Sequence, residues 1–257
     1  MQFKNQPMTF RYLTVALCAI FTSCSETKTP TAQEIVDHAI ETAGGTVIAD
    51  ASVHFKFRDY YYNATRSGGE RRLERCIDAN CDVQQDVLEN DGEFTRFREG
   101  APTLLSDSLK QLYSNSVNSV HYFSVLPYGL NDTAVTKSLI DETVVKGQPY
   151  YRIKVKFAEE GGGEDFDDEY MYWIHKEKYT VDYLAYNYRV NEGGTRFREA
   201  YNERIVSGIR FVDYNNYKAN EKFPPLRSLD SLYENKALQL ISKIEIEQVR
   251  VSPCPEC

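Results

Sequence analysis

The chain has 257 residues, about one to two domains' worth, with 42% hydrophobic, 26% charged and 13% aromatic side chains. That globular composition excludes wholesale disorder, collagen and coiled coil, and a net charge of -8 from 38 acidic and 30 basic residues excludes a basic nucleic-acid footprint. The 19 tyrosines and 13 phenylalanines favour sheet over helix bundle.

The first segment reads as an address. Lys4 and Arg11 precede an apolar run from Tyr12 to Phe21. That run is too short for a hydrocarbon core that takes about 20 residues to cross, but it suits a signal-peptide core. Phe21-Thr22-Ser23-Cys24 resembles the lipobox of bacterial lipoproteins. The resemblance implies removal of residues 1–23 and acylation of the Cys24 thiol, with plain secretion or a membrane anchor as alternatives. Two or three acyl chains would hold the protein on a membrane stably, where one is marginal. The mature chain would keep 28 basic and 38 acidic residues, a charge of -10. Ser25, where an inner-membrane protein would carry Asp, resembles an outer-membrane sorting signal. The expected location is therefore the outer membrane, on its periplasmic or cell-surface side. Residues 24–30 read as a polar tether and 31–257 as one domain.

Thr31 with Glu34 fits a capping box opening a helix, with Ile35, Val36, Ala39, Ile40 and Ala43 at helical spacing and Gly44-Gly45 as its stop. Val53, Phe55 and Phe57 alternate with polar residues, and the strand pattern continues through Tyr60–Tyr62 to Ser67. Short strands follow over 71–76, 81–88 and 93–98. A helix over Leu104–Val120 is expected to bury Leu105, Leu109, Leu112, Ser116 and Val120. A turn-rich connector around Leu126–Asp132 leads to strands over 151–157, 166–175, 180–190, 196–206 and 209–217. A short helical piece at Leu229–Glu234 comes next, then a last strand with Leu238, Leu240, Ile244 and Ile246. About ten strands and two substantial helices are expected. In the 180–190 strand, Val181, Tyr183 and Ala185 alternate with Leu184, Tyr186 and Tyr188, as in a central strand covered on both faces.

Cys76 and Cys81 flank a turn-like tetrapeptide, which makes a disulfide between them geometrically plausible. Cys254 and Cys257 have the spacing of a redox pair, but no helix follows to lower a thiol pKa. A structural disulfide is expected there, with free thiols, an ion-binding tail or an oxidoreductase as alternatives.

A helix over Thr31–Gly45, a long antiparallel meander with an inserted helical segment, and the lipobox together resemble the lipoprotein-carrier superfamily. Asn118–Phe123, Gly161–Gly163 and Arg196–Ala200 are similar to an uncharacterised family of anchored proteins within it. The resemblance implies an α+β fold: a long antiparallel meander curled into an unclosed barrel, with helices on the concave side around an apolar cavity. It implies binding of an acyl chain or another apolar ligand, and no catalytic role.

Other constellations are weaker. Glu164, Asp165, Asp167 and Asp168 follow three glycines and offer calcium oxygen ligands, against the plainer reading of a solvated hairpin tip. The four histidines have no metal-binding spacing, and Ser119 near His121 comes without a nucleophile elbow. Arg196, Arg198 and Arg204 share one side of their strand by the period of two. Cross-strand ion pairs are the expectation for them, with recognition of a lipid headgroup or another anion as the alternative.

The expected function is that of a membrane-anchored envelope lipoprotein holding an apolar ligand, without cofactor, nucleic acid or enzymatic activity. Tyr122, Phe123, Trp173, Tyr183 and Tyr186 are the candidate lining. The alternative is a structural or protein-interaction component of the cell envelope with no small-molecule ligand.

Overall fold

The computed structural model describes residues 1–2, 29–158, 168–189 and 192–253. Cys24, Glu164, Asp165, Asp167, Cys254 and Cys257 therefore lie outside the described residues. The chain opens with α1 (Ala32–Thr42), started by the expected capping box: the Glu34 amide donates to Thr31 Oγ1 at 3.2 Å and the Thr31 amide to Glu34 Oε2 at 2.7 Å. Gly44 ends it at φ +86, and a single helical turn, α2 (Gly45–Ile48), follows. A Cβ on Gly44 would stand 2.2 Å from the Gly208 carbonyl oxygen, so the glycine allows both the left-handed turn and the close backbone approach.

Two seven-stranded antiparallel sheets follow. The first contains β1 (Ala51–Phe57), β2 (Tyr60–Ser67), β3 (Glu70–Cys76), β4 (Gln84–Leu88), β5 (Phe94–Arg98) and β6 (Ala101–Thr103) as a plain meander. Helix α3 (Asp107–Ser124) then crosses to the second sheet. That sheet begins with β7 (Val135–Val145), β8 (Gln148–Phe157), β9 (Tyr170–His175) and β10 (Val181–Tyr188). It continues with β11 (Gly194–Val206), β12 (Ile209–Lys218) and, after the short α4 (Leu229–Glu234), β13 (Gln239–Ile244). The last strand, β14 (Glu247–Pro253), leaves the second sheet and pairs with β1, Val251 opposite Val53. The sheets are thus stitched at the β13–β14 corner and bridged by α3 on the other side. This is the expected unclosed α+β barrel.

Among the described residues fourteen strands stand where ten were expected. A turn at Arg58 and Asp59 splits the Val53–Ser67 pattern in two, Arg58 taking φ +55. β7 and β14 escape the pattern because polar and charged residues occupy most of their positions, and β6 because it has only three residues; β7 reads VTKSLIDETVV and alternates between half-buried and exposed until the buried Val145.

The second sheet is buried on both faces at its centre. On the inner face Ile153, Tyr172, Ile174 and Leu184 pack against Ile35, Val36 and Ala39 of α1 and against Leu126 and Leu130. On the outer face Tyr150, Trp173, Tyr183 and Phe197 pack beneath Leu226 and Leu229, the latter in α4. The expectation of a covered central strand therefore holds, with α4 covering the outer side.

Helix α3 departs from its expected face. Leu109 and Leu112 are exposed, while Val117 and His121 are the buried residues. The helix lies over a buried ion cluster on the first sheet. Asp86, fully buried, accepts from Arg75 Nη2 at 2.5 Å and Arg96 Nε at 2.5 Å. Arg75 Nη1 donates to Ser116 Oγ at 2.8 Å, and the Arg96 guanidinium stacks 3.8 Å from the centre of the Tyr113 ring. The side toward the protein is thus partly polar, and an apolar stripe is the wrong guide to it. The Cys76–Cys81 disulfide closes the β3–β4 connection, as expected.

Candidate functional site

Between the end of α3 and the inner face of the second sheet lies a hollow of about 650 Å³. Strand register builds its floor. One cross-strand row runs Ile153, Tyr172, Leu184, Arg198, Asn216, Ser242, passing from the helix-covered core to the stitched corner. The next runs Val155, Tyr170, Tyr186, Arg196. Because side chains alternate across a strand, each row puts all its members on one face. Val212, Tyr214 and Ile244 add apolar wall, Ile246 and Phe57 close the corner, and Ser119, Val120 and Phe123 of α3 form the roof. Tyr170 and Tyr186 stack with centroids 5.5 Å apart, and Phe123 stands 5.7 Å from Tyr186. Burial raises the pKa of the Tyr214 phenol, which stays neutral.

Three arginines stand among the polar members. Arg198, 8% exposed, lays its guanidinium 4.0 Å from the centre of the Phe123 ring and donates from Nη2 to the Tyr186 hydroxyl at 2.7 Å. Its Nε is buried without a hydrogen-bond partner, as is Oδ1 of Asn216 beside it on the same row. Arg196 stacks 4.8 Å from the centre of the Tyr188 ring, and Arg58 stands at the corner. Arg204 does not join them. A bulge between Tyr201 and Arg204 shifts the register, and its guanidinium bonds Asp213 at 2.9 Å and the Ile246 carbonyl at 2.6 Å. The expected row of three arginines is therefore a row of two.

Of the candidate lining residues, Phe123 and Tyr186 face the hollow. Tyr122 turns away: its hydroxyl pairs with that of Tyr172 at 2.8 Å, and it lines a separate cleft on the other flank of α3. Trp173 and Tyr183 lie on the outer face, where the Trp173 indole donates to Asp230 at 3.1 Å and burial pushes the Tyr183 phenol up to about 12. Their place among the lining residues is corrected: a strand buried on both sides sends neighbouring aromatics to opposite faces. Tyr170, Val212, Tyr214 and Ile244 were not singled out, although the alternation in β12 carries the signal for two of them. Asp168, grouped by sequence with a calcium loop, is buried at the hollow's edge. Among the described residues no three His, Cys, Asp or Glu side chains gather as a metal site.

The cleft on α3's other flank is polar, about 720 Å³, and bordered by Arg66, His121 and Asp132. Burial lowers the Arg66 pKa to about 10 and raises that of Asp132. Ser119 and His121 face different cavities: Ser119 donates to the Ser116 carbonyl, and His121 Nε2 meets the Glu74 carbonyl at 3.0 Å. They form no nucleophile–base pair. His54 bonds Asn63 and His175 bonds Gln148, each within its own sheet.

Solved structures share this architecture. A DUF1329 family protein from Desulfovibrio piger superposes with a TM-score of 0.52 at 13% identity, over 86% of this chain and 93% of that one. A LolA superfamily protein from Nitrosomonas europaea does so with a TM-score of 0.50 at 11% identity, over 89% and 96%. At such identities the likeness is one of fold, the unclosed antiparallel barrel with few helices. No curated protein matches by sequence. A family model matches residues 11–246, and the chain belongs to that family, the family of unknown function DUF6503.

Proposed function

We propose that this protein is a cell-envelope lipoprotein, held on the membrane through acylated Cys24, that binds an apolar chain such as a lipid acyl tail in the hollow beneath α3. The observation that carries the reading is the hollow itself. At about 650 Å³ it falls within the range of small-molecule sites, and its walls are mostly aromatic and branched aliphatic side chains. The helix roof and sheet floor come from different parts of the chain, so a gap between them is not closed by local packing alone. The LolA superfamily likeness supports the same reading.

Binding strength would come from buried apolar area, about 0.8 kcal/mol per methylene, less the cost of association. Titration with the neutral fluorophore N-phenyl-1-naphthylamine, followed by displacement with neutral alcohols, tests it. Oleyl alcohol should displace the probe, and shortening a saturated alcohol by two methylenes should weaken displacement about ten-fold. Val212→Trp, which fills the hollow, should abolish probe binding while leaving the circular dichroism spectrum intact. Absence of probe binding, or equal binding by the filled variant, would refute the proposal.

A further inference from the structure

A guanidinium in an oily pocket is an expensive arrangement unless its donors are met. Arg198 is more than nine-tenths buried, and Nε has no partner. Its neighbours hold it in place without neutralising it: Phe123 and Tyr186 contribute ring faces and a hydroxyl. The ion pairs its strand makes with β12 among the described residues, Arg204 with Asp213 and Glu203 with Arg210, lie at and beyond the bulge and do not involve Arg198. Arg196 and Arg58 line the same hollow, against Asp168 as the one described acid in the lining, and Asp168 has contacts of its own. Among the described residues the cavity wall is thus cationic, inside a chain whose net charge is -8. On Arg198's row, Asn216 Oδ1 also lacks a partner, and its Nδ2 donates to Ser242 Oγ at 3.0 Å. An unmet donor and an unmet acceptor therefore stand side by side on one wall, at the end of an apolar trough.

From this geometry we infer that the ligand is an amphipath with an anionic head, a carboxylate or phosphate oxygen accepting from Arg198 Nε while the chain lies along Tyr170, Tyr214 and Ile244. The Phe123 and Tyr186 rings fix the plane of the guanidinium, so the head is read by a preorganised donor instead of a mobile surface charge. Asn216 Oδ1 fits a hydroxyl next to the anionic group, as glycerol-based heads carry. The inference rests on the hollow being the binding site proposed above.

Displacement of N-phenyl-1-naphthylamine from the full-length protein separates the two. Oleyl alcohol, oleate and oleoyl lysophosphatidate share one chain and differ in the head. Both anions should displace the probe at concentrations at least about ten-fold below that of the alcohol. A ten-fold gap for lysophosphatidate alone would assign the head as phosphate, and one for oleate alone as carboxylate. In Arg198→Met the gap should collapse to about one-fold, with displacement by the alcohol retained. Arg198→Lys should keep part of it. Equal displacement by all three ligands in the native protein would overturn the anionic head while leaving the apolar site standing, and so would a gap unchanged in Arg198→Met. Failure of every ligand, the alcohol included, would overturn both. The native comparison needs no variant and stands even if Arg198→Met fails to fold.

Discussion

His121 makes the stability of the fold depend on pH in a way the structure specifies. It is 1% exposed, edge-on to the Phe55 and Tyr62 rings, with Nε2 3.0 Å from the Glu74 carbonyl. A carbonyl only accepts, so Nε2 carries the proton and the partnerless Nδ1 is bare. Protonating Nδ1 would bury a charge, with Arg66 and Arg71 adding repulsion, and burial above all lowers the His121 pKa to about 3. The unfolded chain titrates near 6.5. The folded pKa is the lower one, so the stabilisation is complete above pH 6.5 and is lost as pH falls from there towards 3. Between pH 8 and pH 5 the unfolded state gains about one proton that the native state refuses, a loss of about 2 kcal/mol. That figure depends on the unfolded pKa and on the native one lying well below 5, and hardly on its value. Urea denaturation of native protein and His121→Gln at both pH values measures it. Gln keeps a donor for Glu74, and the carboxylates common to both proteins cancel in the difference. The native protein should lose about 2 kcal/mol more than the variant on acidification. Equal losses would show that His121 is reached by protons in the fold, and the buried-neutral assignment would be wrong.

Asp86→Asn should destabilise the protein by about 3–5 kcal/mol in urea titration, since it leaves Arg75 and Arg96 buried without their shared carboxylate. Loss below 1 kcal/mol would mean that the cluster is solvated. Removing the Cys76–Cys81 bridge as Cys76→Ala/Cys81→Ala should cost about 2 kcal/mol, the small value that so short a loop allows. Calorimetry should show it as a fall of roughly 4–8 °C in Tm.

Local rules were legible in the sequence where one interaction decided the outcome. Thr31 and Glu34 cap α1 because two side chains three residues apart meet two free backbone donors. Cys76 and Cys81 were readable because the turn between them fixes their separation. Helix α3 was not, because its anchoring surface is supplied by Arg75, Asp86 and Arg96 from three neighbouring strands outside the helix, and a helix-only pattern picks exposed Leu109 and Leu112 instead. The hollow was half legible. The alternation of β10 separates Tyr183 from Tyr186, but which of two covered faces holds open space is set by how far α3 stands from the sheet. The arginine row failed at one residue, where the Tyr201–Arg204 bulge turned a strict period of two into a local exception.

The pairing of β14 with β1 joins Val251 to Val53 across nearly the whole described chain. A chain emerging amino end first would therefore present β1 with one bare edge until its last strand arrived, and long-range closures of this kind are slow. Such an edge is a template for wrong partners. Truncation before Glu247 should leave a protein with most of its hairpins intact and a standing tendency to pair with other copies of itself. In that sense the seven-residue strand β14 takes over the edge that β1 would otherwise present along its whole length.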